Sequence, residues 1–337
     1  MDNVIALEKK LLPDLLEVMV KRYHVLQYLR LMGPIGRRSL AVNLGMTERV
    51  LRREVEFLNK QGLVSTTGQG MILSDEGRKL LDGLEETMKD VSGLRELEEA
   101  LQKRLGLPEV IVVPGDSDRA PWVKQDMGRA CVARLDRELG DENVIAVAGG
   151  TTLAAVAEWM RPMGRSALFV PARGGLGERV ENQANTICAE MARKAEGGYR
   201  LLHVPDQLSN GSYESLVEEP AVKEVLALIR SAGIVVHGIG EASTMAKRRK
   251  SSPDLLKKIE REGAVAEAFG YYFDGAGNII HKVKTIGLQL EDLQTRKAVL
   301  AVAGGSSKAE AIDAFFKKSH ESVLITDEGA AMELVNQ

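Results

Sequence analysis

The chain has 337 residues, 44% of them hydrophobic and 28% charged, which suits a globular protein with room for two or three domains and excludes a disordered or fibrous one. No apolar run reaches the ~18 residues needed to cross a bilayer, and the first thirty residues mix charged with apolar positions, so a cytoplasmic protein with no membrane partner is expected. The formal net charge of −3 hides a local excess, because residues 34–60 hold six basic side chains against three acidic ones.

Residues 4–31 set Leu15, Met19, Leu26 and Leu29 at helical spacing, and Pro13-Asp14 suits a helix start after a short arm. Gly33-Pro34 stops that helix. From Arg37 the stretch RRSLAVNLGMTERVLRREVEFLNKQGLV predicts a helix-turn-helix. Leu40, Ala41 and Leu44 face inward on its first helix, Gly45 supplies a left-handed terminator, and Thr47 is a good N-cap for the second. Leu51, Val55 and Leu58 fall at i, i+4 and i+7 and form one buried stripe, while Arg49, Arg52, Arg53 and Glu56 lie opposite. A recognition helix needs such a face to hold phosphates and read guanine edges. The candidate DNA contacts are therefore Arg37, Arg38, Thr47, Arg49, Arg52 and Arg53, with a solvated basic surface as the plainer alternative.

Residues 63–67 and 71–73 flank Gly68-Gln69-Gly70 as a hairpin, which completes a winged helix over residues 1–73. Ser74 then caps a further helix. Leu80, Leu84, Met88, Val91, Leu94, Leu97, Leu101 and Leu105 recur every three or four residues, predicting a leucine-rich linker helix over 74–107. Such a seam packs on the chain's own C-terminal domain or pairs with a second copy, so a homo-oligomer is expected, a dimer with a tetramer on DNA as the further option.

Pro108 marks the next boundary. Strands at 109–113, 143–148, 167–171, 200–204, 233–238 and 298–303 alternate with helices at 121–139, 151–161, 182–195, 220–231, 253–261 and 307–317. The expected fold class is thus an α+β winged helix-turn-helix domain followed by a larger α/β domain, 108–337, with a mainly parallel sheet. Cys131 and Cys188 fall in predicted helices without metal-ligand spacing and read as buried structural thiols, and the five histidines at 24, 203, 237, 281 and 320 form no cluster. No metal, cofactor or catalytic residue is expected.

Val144–Ala157 reads VIAVAGGTTLAAVA: a buried strand, two glycines, two hydroxyls and a helix. Gly149 and Gly150 let the backbone turn and approach a ligand, Thr151 or Thr152 can cap the helix, and the helix amides suit a phosphate. Taken alone, the loop fits a tight turn as well as an anion socket. Val299–Ile312 repeats it as VLAVAGGSSKAEAI, adding Lys308 in a first helical turn, where a cation opposes the helix dipole unless an anion lies nearby. Further glycine turns follow the strands ending at Pro171 and near His237, the first carrying Arg173 in Ala172–Gly177. Ligands of such sheets sit beyond the carboxyl ends of the strands. Arg173, Lys308 and one of Lys247, Arg248 or Arg249 can form a cationic rim, while Gln183, Thr186 and Glu267 can address sugar hydroxyls or serve in ordinary capping and surface roles. An isomerase or deaminase with an accessory N-terminal domain is the competing function. It would draw on Glu241 and Glu267 in turns and on His237, but these form no acid–base set at a telling spacing.

The motifs GGTT, ARGGLG, NQANT, HGIGEA and GGSSKAEAI, behind a winged helix and a leucine-rich linker, resemble the SorC family of sugar-responsive bacterial repressors over essentially the whole chain. SDRAPWVKQDMGRA, LFVPARGGLGE, EAFGYYF and AGGSSKAEAI narrow the resemblance to one branch of that family. The resemblance implies an effector domain similar in fold to glucosamine-6-phosphate deaminase and ribose-5-phosphate isomerase. It also implies fructose-1,6-bisphosphate as effector, and repression of a central glycolytic operon relieved when that effector binds. Carried onto matching positions, the phosphate contacts would be Gly149, Gly150, Thr151, Thr152, Arg173, Arg248 and Lys308, with Gln183, Thr186 and Glu267 nearby. The implied partners are operator double-stranded DNA and the phosphorylated sugar.

Overall fold

The computed structural model describes residues 9–175, 179–205, 208–318 and 322–337, and the chain divides into two compact units, Met1–Glu96 and Leu97–Gln337. The expected helical start at 4–8, Leu176 and Gly177 of the arginine loop, and His320 lie outside the described residues. Among the described residues no helix is long and apolar enough to cross a membrane.

The first unit holds α1 (Pro13–Met32), α2 (Arg37–Asn43), α3 (Glu48–Lys60), β1 (Val64–Thr67), β2 (Gly70–Leu73) and α4 (Asp75–Ser92). α1 starts at the proline, which needs no N–H partner there. Its buried side begins only at Tyr23, and Leu15, expected inside, is 58% exposed. Leu40 and Ala41 are buried on α2, and Gly45 takes the left-handed conformation that ends it. The Thr47 hydroxyl accepts the Val50 N–H at 3.3 Å, and Leu51, Val55 and Leu58 fill the interior side of α3. β1 and β2 pair antiparallel with Thr67 opposite Gly70, and Ile35 adds a bridge to Met71. Ser74 caps α4 by accepting the Gly77 N–H at 3.0 Å.

The single linker helix expected over 74–107 does not form. Gly93, at φ +77°, closes α4 with a left-handed residue, and α5 (Leu94–Leu105) follows, so the unit boundary falls inside α5 at Glu96/Leu97. Of the leucine seam, Leu80 is exposed, while Met88, Leu94, Leu101 and Leu105 are buried. α5 is tied to the sheet of the second unit, where the buried Glu98 carboxylate accepts the Val112 N–H at 2.9 Å. That bond satisfies a donor on an edge strand.

The second unit is built on a seven-stranded parallel sheet. Its strands are β3 (Glu109–Val113), β4 (Glu142–Val147), β5 (Ser166–Pro171), β6 (Gly198–Tyr199), β7 (Ile234–His237), β12 (Ala298–Val302) and β13 (Ser322–Asp327), in the order β3-β13-β12-β7-β4-β5-β6. The helices of the unit are α6 (Val123–Glu138), α7 (Thr151–Trp159), α8 (Ala184–Ala195), α9 (Asn210–Glu218), α10 (Pro220–Ser231), α11 (Ala242–Arg248), α12 (Pro253–Arg261), α13 (Ala309–Phe316) and α14 (Glu328–Asn336). Cys131 and Cys188 are buried in the core between sheet and helices, and burial pushes both thiols up to about 12, as inert structural side chains require. From β4 the chain winds outward through β5 to β6, then returns to β7 and winds the other way to β12 and β13. The sheet therefore reverses between β4 and β7, and the crevice above that reversal is where such sheets bind ligands.

Two parts of the unit differ from expectation. The strand expected at 200–204 shrinks to Gly198–Tyr199, because the Asn185 side chain takes both the Leu202 carbonyl (3.1 Å) and the Leu202 N–H (3.2 Å) in place of a neighbouring strand. A second, antiparallel sheet also intervenes between β7 and β12: β8 (Gly240–Glu241), β9 (Ala264–Ala268), β10 (Tyr271–Asp274) and β11 (Ile279–Lys282), ordered β11-β10-β9-β8. Glu267 consequently sits on a strand and not in a turn.

Candidate effector site

The carboxyl ends of four adjacent strands, β12, β7, β4 and β5, deliver their loops to one cavity of about 250 Å³. Gly149, Gly150, Thr151 and Thr152 line it after β4, Arg173 after β5, His237 to Glu241 after β7, and Ser307 and Lys308 after β12. α11 adds Arg248, α6 adds Lys124, and β9 adds Glu267. Eight of the ten candidate effector residues thus share one cavity. Gln183 and Thr186 line a separate groove with Asn185, Arg193, Tyr199 and His203. They stand on and beside α8, whose start brings backbone atoms of residues 182–184 close to Gly149.

The glycines of the first loop are needed where they stand. A Cβ on Gly149 would lie 2.8 Å from the Asn182 carbonyl oxygen, and Gly150 has φ +124° while donating its N–H to that same oxygen at 2.8 Å. Neither threonine caps α7. Gly150 is the N-cap residue, so Thr151 and Thr152 fall within the first turn, where their N–H groups are among those that no helix carbonyl can reach.

The repeated loop is built differently. Gly305 N–H donates to both Asp327 carboxylate oxygens (3.0 and 2.8 Å), Ser306 N–H to Asp116 (3.3 Å) and Ser307 N–H to Asp118 (2.8 Å). Its amides already hold anions that the chain itself supplies.

Among the three basic candidates at 247–249, the structure separates the roles. Arg248 lines the cavity. Arg249 is buried and donates to Glu267 Oε1 (2.7 Å) and to the Tyr272 hydroxyl (2.9 Å). Glu267 Oε1 also accepts the Gly270 N–H at 2.6 Å and lies 3.5 Å from Arg173 Nη1. Burial alone would raise the Glu267 carboxyl, but Arg249 and Arg173 outweigh it and hold the group below the usual carboxylate range. Glu241 accepts hydroxyl bonds from Ser243 and Thr244, both at 2.6 Å. Lys308 is driven the other way. Burial, with the neighbouring Lys124 and Arg248, lowers its pKa from 10.5, outweighing Asp118 and Asp327. The cavity lining sets Lys124, Arg173, Arg248 and Lys308 against the carboxylates of Glu241 and Glu267.

Two family models divide the chain between them. The Sugar-bind model of sugar-binding domains matches residues 89–336, and the CggR N-terminal DNA binding domain matches residues 18–88. The chain is 60% identical to a central glycolytic genes regulator of Priestia megaterium and 59% identical to that of Bacillus subtilis, covering 99% of each pair. A crystallised SorC family transcriptional regulator from Enterococcus faecalis superimposes with a TM-score of 0.68 at 48% identity, covering 71% of this chain and 99% of its own. The chain belongs to the SorC family.

As a SorC-family protein it is a DNA-binding transcription regulator with a sugar-binding domain, and not an enzyme. That removes the isomerase or deaminase alternative. In the DNA-binding domain of this SorC member, Arg37 and Arg38 open α2, and Arg49, Arg52 and Arg53 stand exposed on α3. Three of these arginines face carboxylate neighbours, Arg38 through an ion pair with Glu48 at 3.7 Å. Arg52 Nε donates to Glu56 at 2.8 Å, and Arg53 donates to Glu54 at 3.0 Å. Glu54 itself is buried and accepts the Arg22 Nε–H at 2.8 Å, a contact that helical spacing on α3 alone does not announce. Lys124, Glu241 and His237 are the titratable lining side chains absent from the candidate list. Only the HGIGEA turn carried a signal for the last two, whereas Lys124 reaches the cavity from a helix with no local motif.

Proposed function

We propose that this SorC-family regulator represses a central glycolytic operon and that fructose-1,6-bisphosphate, held in the cavity above the β4–β7 reversal, weakens its grip on the operator. The observation that carries the reading is the cavity itself: free helix-start amides at Thr151 and Thr152 among Lys124, Arg173, Arg248 and Lys308, an arrangement suited to phosphate. The 60% identity to a central glycolytic genes regulator supports the choice of operon. The helix pair α2–α3 with the β1–β2 hairpin acts in this reading as a winged helix-turn-helix, with α3 in the major groove, and the protein works in the cytoplasm as a homo-oligomer on palindromic or repeated half-sites. Arg173, Arg248, Lys308 and the Gly149–Thr152 loop take the phosphates, with the fold of the effector domain related to glucosamine-6-phosphate deaminase and ribose-5-phosphate isomerase.

Effector and operator must then oppose each other reciprocally, with a coupling of ~1 to 3 kcal/mol, or roughly 5- to 150-fold in affinity. Fluorescence anisotropy of labelled operator, titrated with the full chain at increasing fructose-1,6-bisphosphate, measures this directly. The operator affinity should fall within that range while the sugar bisphosphate raises the melting temperature of the protein. Binding without any change in operator affinity would overturn the reading.

A further inference from the structure

Arg249, the residue that follows α11, is buried and stands outside the cavity lining, beside Arg248, which belongs to it. Its guanidinium donates through Nη2 to Glu267 Oε1 at 2.7 Å and through Nη1 to the Tyr272 hydroxyl at 2.9 Å. The same carboxylate oxygen accepts the Gly270 N–H at 2.6 Å, and Arg173 Nη1 lies 3.5 Å from it. The turn that aims the Gly270 amide is an unusual one. Phe269 (φ +53°) and Gly270 (φ +86°) are both left-handed between the paired Ala268 and Tyr271, and phenylalanine rarely adopts that conformation. A Cβ on Gly270 would meet Arg173 Nη1 at 3.6 Å, so this turn and the arginine of the β5 loop are packed together. Two arginines thus share one buried carboxylate unequally: the one outside the cavity holds it by a charge-assisted hydrogen bond, and the one in the cavity lining stands farther off than such a bond.

We propose that Arg249 is a positioning residue for the effector site: by neutralising Glu267 it lets Arg173 give its guanidinium to a phosphate of the ligand. The inference rests on the phosphate reading of the cavity above. An arginine that is the chief partner of a buried carboxylate cannot leave it without stranding the charge, which is the unfavourable state of any buried ion pair. Arg249 removes that penalty. It keeps Glu267 paired whether or not Arg173 stays beside it, while Tyr272 and Gly270 fix the geometry from the other sides. Burial pushes the Glu267 carboxyl up, and among the groups that overcome it Arg249 pulls harder than Arg173. Arg248 and Arg249 are consecutive and chemically alike, yet the first lines the cavity and the second serves it from behind.

Calorimetric titration of the full chain with inorganic pyrophosphate, which carries no sugar hydroxyl for Glu267 to address, tests the role through a double-mutant cycle. Arg249→Met should weaken pyrophosphate about 10-fold when Arg173 is present and less than about 2-fold in an Arg173→Ala background, because the loss runs through Arg173. A plain field effect of the missing charge predicts equal losses in both. Arg249→Met combined with Glu267→Gln removes both charges of the pair, leaves their sum unchanged and makes no claim on Arg173, so affinity should return to within about 3-fold of the wild type. A contact that merely ties the end of α11 to β9 would not be restored by breaking it from both sides. Arg249→Lys keeps a cation against Glu267 and is the milder change should methionine prevent folding; it should lose about 3-fold, again only where Arg173 is present. Equal losses with and without Arg173, no loss in either background, or no recovery on adding Glu267→Gln would overturn the positioning role. Pyrophosphate binding that is absent from the wild type, or indifferent to Arg173→Ala, would instead overturn the phosphate reading of the cavity, and this inference with it.

Discussion

The GGTT loop after β4 and the GGSS loop after β12 are near-copies in sequence, yet they do opposite things with the same backbone groups. In the first, the loop leaves the N–H groups of Thr151 and Thr152 at the start of α7 facing a positively charged cavity. In the second, Asp116, Asp118 and Asp327 occupy the corresponding donors. The difference does not come from the loops. It comes from what surrounds them: β13 ends beside β12 and brings Asp327, and the turn after β3 brings Asp116 and Asp118, whereas β4 has β5 and β7 as neighbours and receives Arg173 instead of a carboxylate. In the second copy the glycine turn holds carboxylates of the chain itself, and in the proposed reading the first copy takes a ligand's phosphate because its neighbouring strands bring no carboxylate to it.

The largest test of this contrast is Asp327→Ala. Asp327 is fully buried and also accepts the N–H groups of Ser117 (2.8 Å) and Ala330 (2.9 Å), so its loss strands three amides. Unfolding in urea should show a destabilisation of about 3 to 5 kcal/mol. Thr152→Ala, in the copy that holds no internal anion, should cost under about 1 kcal/mol and act on effector binding instead. Similar stability losses in both variants would mean that the two loops are structural in the same sense.

Lys308 stands where the two loops come closest in function, because it follows the self-capped copy yet lines the cavity of the open one. Lys308→Ala should weaken fructose-1,6-bisphosphate by ~1.5 to 3 kcal/mol, about 10- to 150-fold, with little change in melting temperature. Its pH behaviour has a definite sign. In the free protein the ammonium is disfavoured by burial and by Lys124 and Arg248, and an anionic ligand favours it, so the pKa rises on binding. Affinity should therefore be full below the lowered value and decline as pH climbs through it, with a proton taken up on binding in that window. Calorimetry in two buffers of different ionisation enthalpy measures the uptake, and Lys308→Ala should abolish it. Release of a proton in its place would mean that another group dominates.

The open loop, its echo, the arginine of the third loop and the helix pair with its threonine cap were all legible in the sequence, because each is a local event: a buried apolar run ended by glycine, or a stripe at i, i+4 and i+7. What was not legible was set by long-range partners. The carboxylates on the second loop come from residues 116, 118 and 327, and no local pattern ties them to Gly305. The antiparallel sheet that carries Glu267 is made of strands of two to five residues with bulged registers, too short for a period to show. Thr151 failed as a cap because Gly150 takes that position itself, and Gln183 and Thr186 line a separate groove along α8 with Asn185, Arg193 and Tyr199. The leucine seam read as one helix because periodicity continues across Gly93, where a left-handed residue ends the helix.

The smallest expected effect is the most direct probe of the self-capped copy. Asp118 is exposed, and its bonds to the second loop are those most open to competition. Burial of part of the carboxylate raises its pKa, but the Ser307 N–H and hydroxyl, together with Lys308 and Lys124, outweigh that and keep it ionised. A carboxylate there competes with any phosphate that approaches Ser307 and Lys308. Asp118→Ala frees the Ser307 amide and removes a negative charge from the rim, so affinity for inorganic phosphate or pyrophosphate should rise by roughly 2- to 10-fold, corresponding to about 0.5 to 1.5 kcal/mol. Asp118→Asn should fall between the two, because it removes the charge and keeps a carbonyl acceptor for the amide. If neither variant gains affinity, or if both lose it, Asp118 serves to organise the loop and not to compete for it, and the two copies would differ in architecture alone.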